Sequence, residues 1–248
     1  MSYTSLVYSR KGHIARIVLN RPEASNAISQ QLAQELEEVC GQIKEDDGIY
    51  AVVLTGASDR VFCGGAESDD GEVSGRPADA VASINCPVIA AINGDALGEG
   101  LELALSCDIR LASAQARFAL PQVARGLMPV DGGTQRLPRI IGRGKALELL
   151  LTAATISAQE AFEIGLVSRV VPPEKLAGEV KALAETIAGK GPIAVRYIKE
   201  AVNKGLDMTL EQGLRLEADL YFLLHTTEDR TEGIRAFLGK KAPRFKGR

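Results

Sequence analysis

Residues 86–112 of the chain read CPVIAAINGDALGEGLELALSCDIRLA. The apolar run that ends at Ile92 predicts a buried strand, and the apolar LELAL that follows Gly100 predicts a short helix. Glycines at 94, 98 and 100 predict a tight turn between the two. Because the following CDIRLA again has the character of a strand, the stretch predicts an α/β fold in which glycine-rich turns join strands to helices.

The same order of elements occurs earlier in the chain. Residues 5–22, SLVYSRKGHIARIVLNRP, predict two strands that meet at a Lys11-Gly12 turn. Ser29 can cap a helix whose apolar residues recur at helical spacing, and YAVVLTG (50–56) then predicts a buried strand that leads into the glycine turn FCGGAES (62–68). The repetition predicts a coiled series of strand-strand-helix units.

From Ser157 onward the sequence predicts mainly helices. The segment SAQEAFEIG opens with the serine and glutamate of a capping box. Further helical segments follow at residues 174–190, 192–205, 210–225 and 226–241. We expect this half to form a helical layer that packs on the core or on another subunit. Residues 68–79, SDDGEVSGRPAD, are acidic and almost without apolar side chains, and they predict a mobile surface loop.

Composition narrows the class of protein and its partners. The 248 residues are 46% hydrophobic and 25% charged, which is ordinary for a globular protein with a substantial core. A net charge of −3 gives no basic surface for nucleic acid, and no apolar run approaches the roughly eighteen residues that a membrane span needs. We therefore expect neither a nucleic-acid partner nor a membrane. The four cysteines lack CxxC spacing and the N-terminus lacks a signal-peptide pattern, so we expect the cytoplasm.

Several catalytic motifs are absent from the sequence. The chain has two histidines and no HExxH, GxSxG or GxxxxGK[ST] pattern, so we expect no metal site and no P-loop. The remaining groups for chemistry are carboxylates, backbone amides and thiols. Cys63 precedes two glycines and is one candidate nucleophile, but buried cysteines more often serve as small apolar fillers.

The glycine-rich turns can have a chemical role or only a structural one. A turn from strand to helix leaves backbone N–H groups unpaired at the positive end of the helix, where they can hold an oxyanion. Two such turns that converge would form an oxyanion hole. Glycines at turns are, however, more often present because the backbone geometry requires them.

The turns and their neighbours together resemble one known family. LNRPEASNAIS (19–29), AVVLTGASDRVFCGGAE (51–67), the stretch from CPVIAAING to RLPRIIG (86–142), ISAQEAFEIGLVSRVVP (156–172) and TTEDRTEGIRAFLGKKAPRF (226–245) look like the enoyl-CoA hydratase/isomerase, or crotonase, family. The segments occur in family order over nearly the whole chain. The resemblance implies an α/β spiral of ββα turns over residues 1–190 and a C-terminal helical trimerisation region over residues 191–248. It also implies a trimer or hexamer, an acyl-CoA thioester as substrate, and no cofactor beyond that coenzyme A.

The resemblance also implies an oxyanion hole and a coenzyme A site. The backbone amides of Ala66 and Glu99 match the two oxyanion donors, and Glu99 stands at the middle position of what is commonly a Gly-Gly-Gly run. An amide donates whatever side chain it carries. A carboxylate about 4 Å from an enolate would, however, cost roughly 4 kcal/mol at an effective dielectric near 20, so we expect the Glu99 side chain to turn away. The expected contacts of coenzyme A are Ala24, Ala66, Glu67, Ser68 and Asp69.

The expected acid/base pair is incomplete. Hydratases of the family usually employ two glutamates, of which the first matches Glu102, while the second position holds Gln122 in the sequence FALPQ. Gln122 can orient a water molecule but cannot exchange a proton at neutral pH. Asp131, in MPVDGGTQR, can replace the missing acid or can merely cap a turn. The carboxylates of Glu99 and Glu102 lie one helical turn apart and can form a pair only if both face the substrate.

Three activities remain open at this stage. The first expectation is hydration of a 2-enoyl-CoA, or the reverse dehydration, through an enolate held in the oxyanion hole. Isomerisation of an enoyl-CoA or decarboxylation of an acyl-CoA is the alternative, since one carboxylate or none can suffice for these reactions. The loss of an acid at Gln122 also allows a different class of protein, a non-catalytic subunit that binds coenzyme A.

Overall fold

The computed structural model describes residues 3–67 and 75–248. Residues 68–74, which make up most of the predicted surface loop, lie outside the described residues. The last part of that predicted loop is helical, because a helix occupies Pro77–Ala82. Proline at the first position favours this helix, since the missing N–H of proline would have no partner there.

Two sheets are found in the described part of the chain. The first has six strands in the order β1 (Leu6–Lys11), β2 (Ile14–Leu19), β3 (Ala51–Gly56), β5 (Val88–Ile92), β7 (Ile109–Ser113) and β10 (Arg169–Val171). The second has four strands in the order β4 (Val61–Cys63), β6 (Asp95–Leu97), β8 (Arg117–Ala119) and β9 (Ile156–Ser157). Strands β1 and β2 pair antiparallel, as do β8 and β9, whereas the other neighbours are parallel.

The helices follow the strands in the alternating order that the sequence predicts, and the C-terminal part is helical. Their bounds are α1 Gln30–Glu45, α2 Pro77–Ala82, α3 Glu99–Leu105, α4 Gly133–Ile141, α5 Arg143–Thr152, α6 Ala158–Glu163, α7 Pro173–Ala188, α8 Pro192–Gly205, α9 Leu210–Leu224 and α10 Glu228–Leu238. Short 3-10 turns cover Pro22–Ala24 and Pro121–Arg125. None of the helices in the described ranges has the length and apolar character that a bilayer crossing requires.

Local capping confirms two of the predicted helix starts. The side chain of Ser29 accepts a hydrogen bond from the Leu32 N–H at the start of α1. Ser157 and Glu160 form the predicted capping box at the start of α6. The prediction of a mainly helical second half misses β10, a strand that pairs with β7.

Both faces of the large sheet are buried, and alternating residues of its central strands point to opposite faces. Val52 and Leu54 of β3 belong to the main core together with α1. Val53, between them, points to the opposite face and packs with Leu176 and Val180 of α7. This alternation is the period-two pattern of a strand, and it explains why YAVVLTG is apolar at consecutive positions.

A buried carboxylate holds the N-terminal strand on α1. Glu35 is 9% exposed and accepts hydrogen bonds from the N–H groups of Thr4 (3.0 Å), Ser5 (2.8 Å) and Leu6 (3.2 Å). Burial alone would raise the pKa of Glu35, but the N–H groups of Thr4 and Ser5 outweigh this effect and lower it. Glu35 thus joins the edge of the large sheet to the first helix as a carboxylate.

We expect Glu35→Ala to lower the free energy of unfolding by about 2–3 kcal/mol, because it leaves buried N–H donors without an acceptor. Urea denaturation followed by circular dichroism measures the change. Glu38→Ala, at an exposed position on the same helix, is the matched control. Equal stabilities of the two variants would contradict the anchoring role.

Candidate active site

The glycines that flank Glu99 are required by backbone geometry. Gly98 has φ +53° and ψ −126°, a conformation that side chains disfavour. A Cβ atom on Gly100 would lie 2.2 Å from the carbonyl oxygen of Cys63, so α3 can approach β4 only with glycine at that position. The structural interpretation of these two glycines is therefore correct. Glu99, between them, is the first residue of α3.

The two glycine-rich turns meet at one place. The turn after β4 pairs with the segment that precedes α1, because Ile28 N–H donates to Gly65 O (2.7 Å) and Glu67 N–H donates to Ile28 O (3.0 Å). A Cβ atom on Gly98 would lie 3.6 Å from Gly65 Cα, so the turn also contacts the start of α3. The Ala66 N–H is therefore a neighbour of the N-terminus of α3. The N–H of Glu99, the first residue of this helix, has no acceptor within the helix.

The side chain of Glu99 faces this site, and the expectation that it turns away is wrong. Its Oε2 accepts a hydrogen bond from the Ala66 N–H at 2.8 Å, and its Oε1 accepts from Gln122 Nε2 at 3.3 Å. The residue is 7% exposed. A buried carboxylate needs hydrogen-bond donors, and the amides of Ala66 and Gln122 supply them at the start of α3.

Glu102 lies one helical turn further along α3 and is fully buried. Its Oε1 accepts hydrogen bonds from the N–H groups of Asp131 (2.8 Å) and Gly133 (2.7 Å). Its Oε2 has no hydrogen-bond partner among the described residues. Burial raises the pKa of Glu102 to about 7, against the opposing effect of the two amides. The site therefore contains a carboxyl group that can gain or lose a proton near neutral pH.

Gln122 follows β8 in a 3-10 turn and is 1% exposed. A carboxylate only accepts hydrogen bonds, so the amide nitrogen of Gln122 must face Glu99 and its oxygen must point elsewhere. That oxygen, Oε1, is buried and has no partner in the described part of the chain. Three buried acceptors of the site, Glu102 Oε2, Gln122 Oε1 and Asp131 Oδ1, thus have no hydrogen-bond partner among the described residues.

The side chain of Asp131 is engaged with a different element. Its Oδ2 accepts a hydrogen bond from the Ala78 N–H at 2.7 Å and so caps the first turn of α2. Arg76 Nε lies 3.9 Å from Asp131 Oδ1. Burial raises the pKa of the Asp131 carboxyl. These contacts agree with the interpretation of Asp131 as a capping residue. A direct role of Asp131 in proton transfer stays a prediction.

Three of the five expected coenzyme A contacts, Ala24, Ala66 and Glu67, lie within the described residues. Ala24 ends the 3-10 turn that precedes α1, and Glu67 follows Ala66. Glu67 forms a bidentate ion pair with Arg21, at 2.8 and 3.0 Å, which lowers the pKa of this carboxyl. Sequence reasoning did not single out Arg21, because its partner is distant in the chain. Ser68 and Asp69, the other two expected contacts, lie outside the described residues.

Cys63 is not a nucleophile in this structure. Its side chain is fully buried, and burial raises the pKa of the thiol to about 12. A thiol with such a pKa contains almost no thiolate at neutral pH. The role as an apolar filler therefore fits its position beside Gly100. Within residues 3–67 and 75–248, no group of histidine, cysteine and carboxylate side chains is placed to bind a metal ion.

Two cavities lie outside the group of polar residues. An apolar pocket of about 480 Å³ begins beside Gln122, and its lining includes Val123, Leu127, Pro138 and Leu150. A larger cavity of about 1160 Å³ lies between the large sheet and α7. Its lining includes Val53 and Leu176, on the face of the sheet opposite the main core, and contains none of the site residues described above.

Known proteins resemble this chain over its whole length. The family model described as Enoyl-CoA hydratase/isomerase matches residues 9–248. A crotonyl-CoA hydratase of Syntrophomonas wolfei is 38% identical over 257 residues, with 99% of each chain covered. A short-chain-enoyl-CoA hydratase of Clostridium acetobutylicum is 38% identical over 261 residues, with 100% of each chain covered.

The fold agrees with this similarity. The crystal structure of an enoyl-CoA hydratase from Bacillus anthracis superimposes with a TM-score of 0.95 at 41% sequence identity and covers 99% of this chain and 100% of that chain. A second such structure, from Geobacillus kaustophilus, gives a TM-score of 0.92 at 40% identity, with 99% of each chain covered. The predicted α/β crotonase fold is confirmed, and the chain belongs to the enoyl-CoA hydratase/isomerase family.

Proposed function

We propose that this protein adds water to a 2-enoyl-CoA, or removes it in the reverse direction. The observation that carries the proposal is the position of Glu102, a buried carboxyl with a free oxygen, beside two backbone N–H groups that can bind a thioester oxygen. The relatives named crotonyl-CoA hydratase and short-chain-enoyl-CoA hydratase support the same reaction. The substrate is an acyl-CoA thioester.

The oxyanion donors determine where the substrate must react. The thioester oxygen takes the Ala66 N–H, together with the Glu99 N–H at the start of α3, and in doing so displaces the Glu99 carboxylate from Ala66. Hydrogen bonds to this oxygen strengthen as negative charge develops on it, and one such donor is typically worth about 10²–10³ in kcat. The enolate formed when water attacks the β-carbon is thereby stabilised.

Two of the unpaired acceptors match the attacking water. A water molecule has two O–H donors, and Glu102 Oε2 and Gln122 Oε1 can each accept one of them. Glu102 then takes a proton as the water oxygen bonds to the β-carbon. In this arrangement Asp131 acts through its backbone, because its N–H holds Glu102 Oε1 in place.

We expect the protein to add one water to crotonyl-CoA and Glu102→Gln to lower kcat/KM by about 10²–10⁴. Glu174→Gln, at an exposed position on α7, is the matched control and should keep wild-type activity. Mass spectrometry and chromatography of crotonyl-CoA, a 3-enoyl-CoA and a malonyl-type CoA after incubation distinguish hydration, isomerisation and decarboxylation. Tight binding with no turnover of any of these would indicate a non-catalytic subunit, and turnover by Glu102→Gln at the wild-type rate would contradict its role.

The pKa of Glu102 predicts how the rate of hydration depends on pH. Burial raises this pKa to about 7, so the carboxylate that accepts a proton from water is lost as the pH falls below that value. We expect kcat/KM for hydration to rise through about pH 7. The profile for dehydration should run parallel to it, because the reaction takes up no net proton and the ratio of the two kcat/KM values equals an equilibrium constant that does not depend on pH. Steady-state rates of hydration across this range measure the rise, and a kcat/KM that stays constant through pH 7 would contradict the assignment.

We also propose that the C-terminal helices mediate self-association into a trimer or hexamer. Large apolar side chains of α8, its C-cap residue, α9 and α10 are exposed in the single chain: Ile198, Val202, Leu206, Leu210, Leu214, Tyr221, Phe222, Leu223, Ile234, Phe237 and Leu238. So many exposed apolar side chains in one part of the chain are typical of an interface. A division into a spiral core, 1–190, and an oligomerisation region, 191–248, stays a prediction that agrees with the start of α8 at Pro192.

We expect light scattering to give a mass that is three or six times the 26.4 kDa of one chain. Phe237→Glu should reduce this mass, because Phe237 is 83% exposed in the single chain and a carboxylate there could not be buried in an interface. Thr231→Glu introduces the same charge at an exposed polar position of the same helix and should leave the mass unchanged. A monomeric wild-type protein would contradict the proposal.

The remaining expectations concern cofactor and compartment. The chemistry described above uses carboxylates, an amide and backbone N–H groups, so we propose that no cofactor beyond the coenzyme A of the substrate takes part. The cysteines Cys40, Cys63, Cys86 and Cys107 are all free thiols and all buried. Free thiols favour a reducing compartment, and we propose the cytoplasm.

A further inference from the structure

We propose that Glu99 exchanges the proton at the α-carbon of the acyl group, while Gln122 orients the attacking water. This inference rests on the hydration reaction proposed above. Hydration bonds a hydroxyl group to the β-carbon and a hydrogen to the α-carbon, so the site must supply a proton at the α-carbon as well as remove one from water. Glu102 removes the proton from water, and Gln122 has no proton to exchange.

The other carboxylates near the site are engaged elsewhere. Asp131 Oδ2 accepts from the Ala78 N–H and caps α2, while its Oδ1 has no hydrogen-bond partner among the described residues and lies 3.9 Å from Arg76 Nε. Glu67 is held by both terminal nitrogens of Arg21. Among the described residues, Glu99 is the remaining carboxylate whose oxygen contacts an oxyanion donor, the N–H of Ala66.

The geometry places Glu99 beside the reacting carbon. Its Oε2 lies 2.8 Å from Ala66 N, at the position that the thioester oxygen takes when substrate binds. The α-carbon is bonded to the carbonyl carbon, so it lies next to that oxygen. The carboxylate that is displaced from the Ala66 N–H therefore stays in the neighbourhood of the α-carbon.

Gln122 restricts the movement of Glu99 and is itself oriented by it. The hydrogen bond from Gln122 Nε2 to Glu99 Oε1, at 3.3 Å, can persist when Oε2 leaves Ala66. Provided that the proton of Glu99 is on Oε2, Oε1 can only accept a hydrogen bond, and this contact keeps the amide oxygen of Gln122 directed away from Glu99, where it can accept a hydrogen bond from water. The carboxyl that is missing at position 122 is thus replaced by the carboxyl of Glu99, and the site keeps one carboxyl for each proton.

Charge in the site is consistent with this arrangement. Glu99 and Glu102 lie one turn apart on α3, and the negative charge of Glu99 contributes to the raised pKa of Glu102. Like charges three residues apart on a helix repel each other, and a proton on either carboxyl relieves this repulsion. When the proton is on Glu99, no anion faces the enolate.

The reaction balances with these two groups. In hydration, the water oxygen bonds to the β-carbon, one water proton passes to Glu102, and the electron pair of the double bond moves into the thioester as an enolate held by the two N–H groups. The enolate then re-forms the carbonyl and its α-carbon takes the proton of Glu99. Glu102 now holds a proton and Glu99 holds none, and exchange with solvent restores the starting state after the product leaves.

The α-proton step can be measured without hydration. A saturated short-chain acyl-CoA, such as butyryl-CoA, has no double bond to hydrate, but its α-hydrogens exchange with D₂O if an acid/base group reaches them. We expect the wild-type protein to catalyse this exchange and Glu99→Gln to slow it by about 10² or more. Glu99→Gln is nearly isosteric, and its melting temperature reports whether it folds. Glu174→Gln, on α7, should exchange at the wild-type rate.

A second variant separates chemistry from structure. Glu99→Gln combined with Gln122→Glu returns a carboxyl group to the pair and should recover at least about tenfold of the lost exchange, which a purely structural role of Glu99 would not produce. Exchange at the wild-type rate in Glu99→Gln, or no recovery in the double variant, would overturn the inference. Faster exchange in Glu99→Gln would also overturn it and would indicate that the carboxylate only blocks the Ala66 N–H.

The result also distinguishes this inference from the proposed function. If the wild-type protein hydrates crotonyl-CoA and Glu99→Gln keeps full α-exchange, only the role of Glu99 is wrong. If the wild-type protein neither hydrates crotonyl-CoA nor exchanges the α-hydrogens of butyryl-CoA, the proposed function and the role of Glu99 are both wrong.

Discussion

The close contact between the start of α3 and the turn after β4 is the constraint on which the site depends. Gly100 packs against the backbone of Cys63 with no space for a side chain, and Gly98 adopts a conformation that side chains disfavour. These two glycines let the N-terminus of α3 approach the Ala66 N–H. A larger residue at Gly100 would separate the two turns and with them the two proposed donors of an oxyanion hole.

A second group of contacts holds Glu102, the proposed acid/base residue. The segment at 131–133 donates two N–H groups to Glu102, and a Cβ atom on Gly133 would lie only 3.1 Å from Glu102 Oε1. The side chain of Asp131 caps α2 at the same time. The backbone of one short segment therefore positions Glu102, and the side chain of Asp131 in the same segment holds the start of α2.

Local patterns predicted most of the fold, and they failed where pairing partners lie far apart. The strand at YAVVLTG and the capped starts of α1 and α6 follow from the residues themselves, because apolar runs and capping side chains act over one or two turns. The short strand β6 and the strand β10 are three residues each, too short for a periodic pattern, and exist because β4, β8 and β7 pair with them. Helix α2 starts where a side chain 53 residues away accepts its N–H.

The sequence by itself determined the family, the crotonase fold, the positions of the glycines and the substitution of glutamine for an acid at Gln122. Only the tertiary structure decided the direction of Glu99. Its donors, Ala66 and Gln122, are 33 and 23 residues away in the chain, and a carboxylate turns toward the donors that folding brings to it. The argument available from the sequence was repulsion between the Glu99 carboxylate and the enolate, which acts only when substrate is bound. The cost of burying the Glu99 carboxylate must be compensated by hydrogen-bond donors in the folded protein at all times.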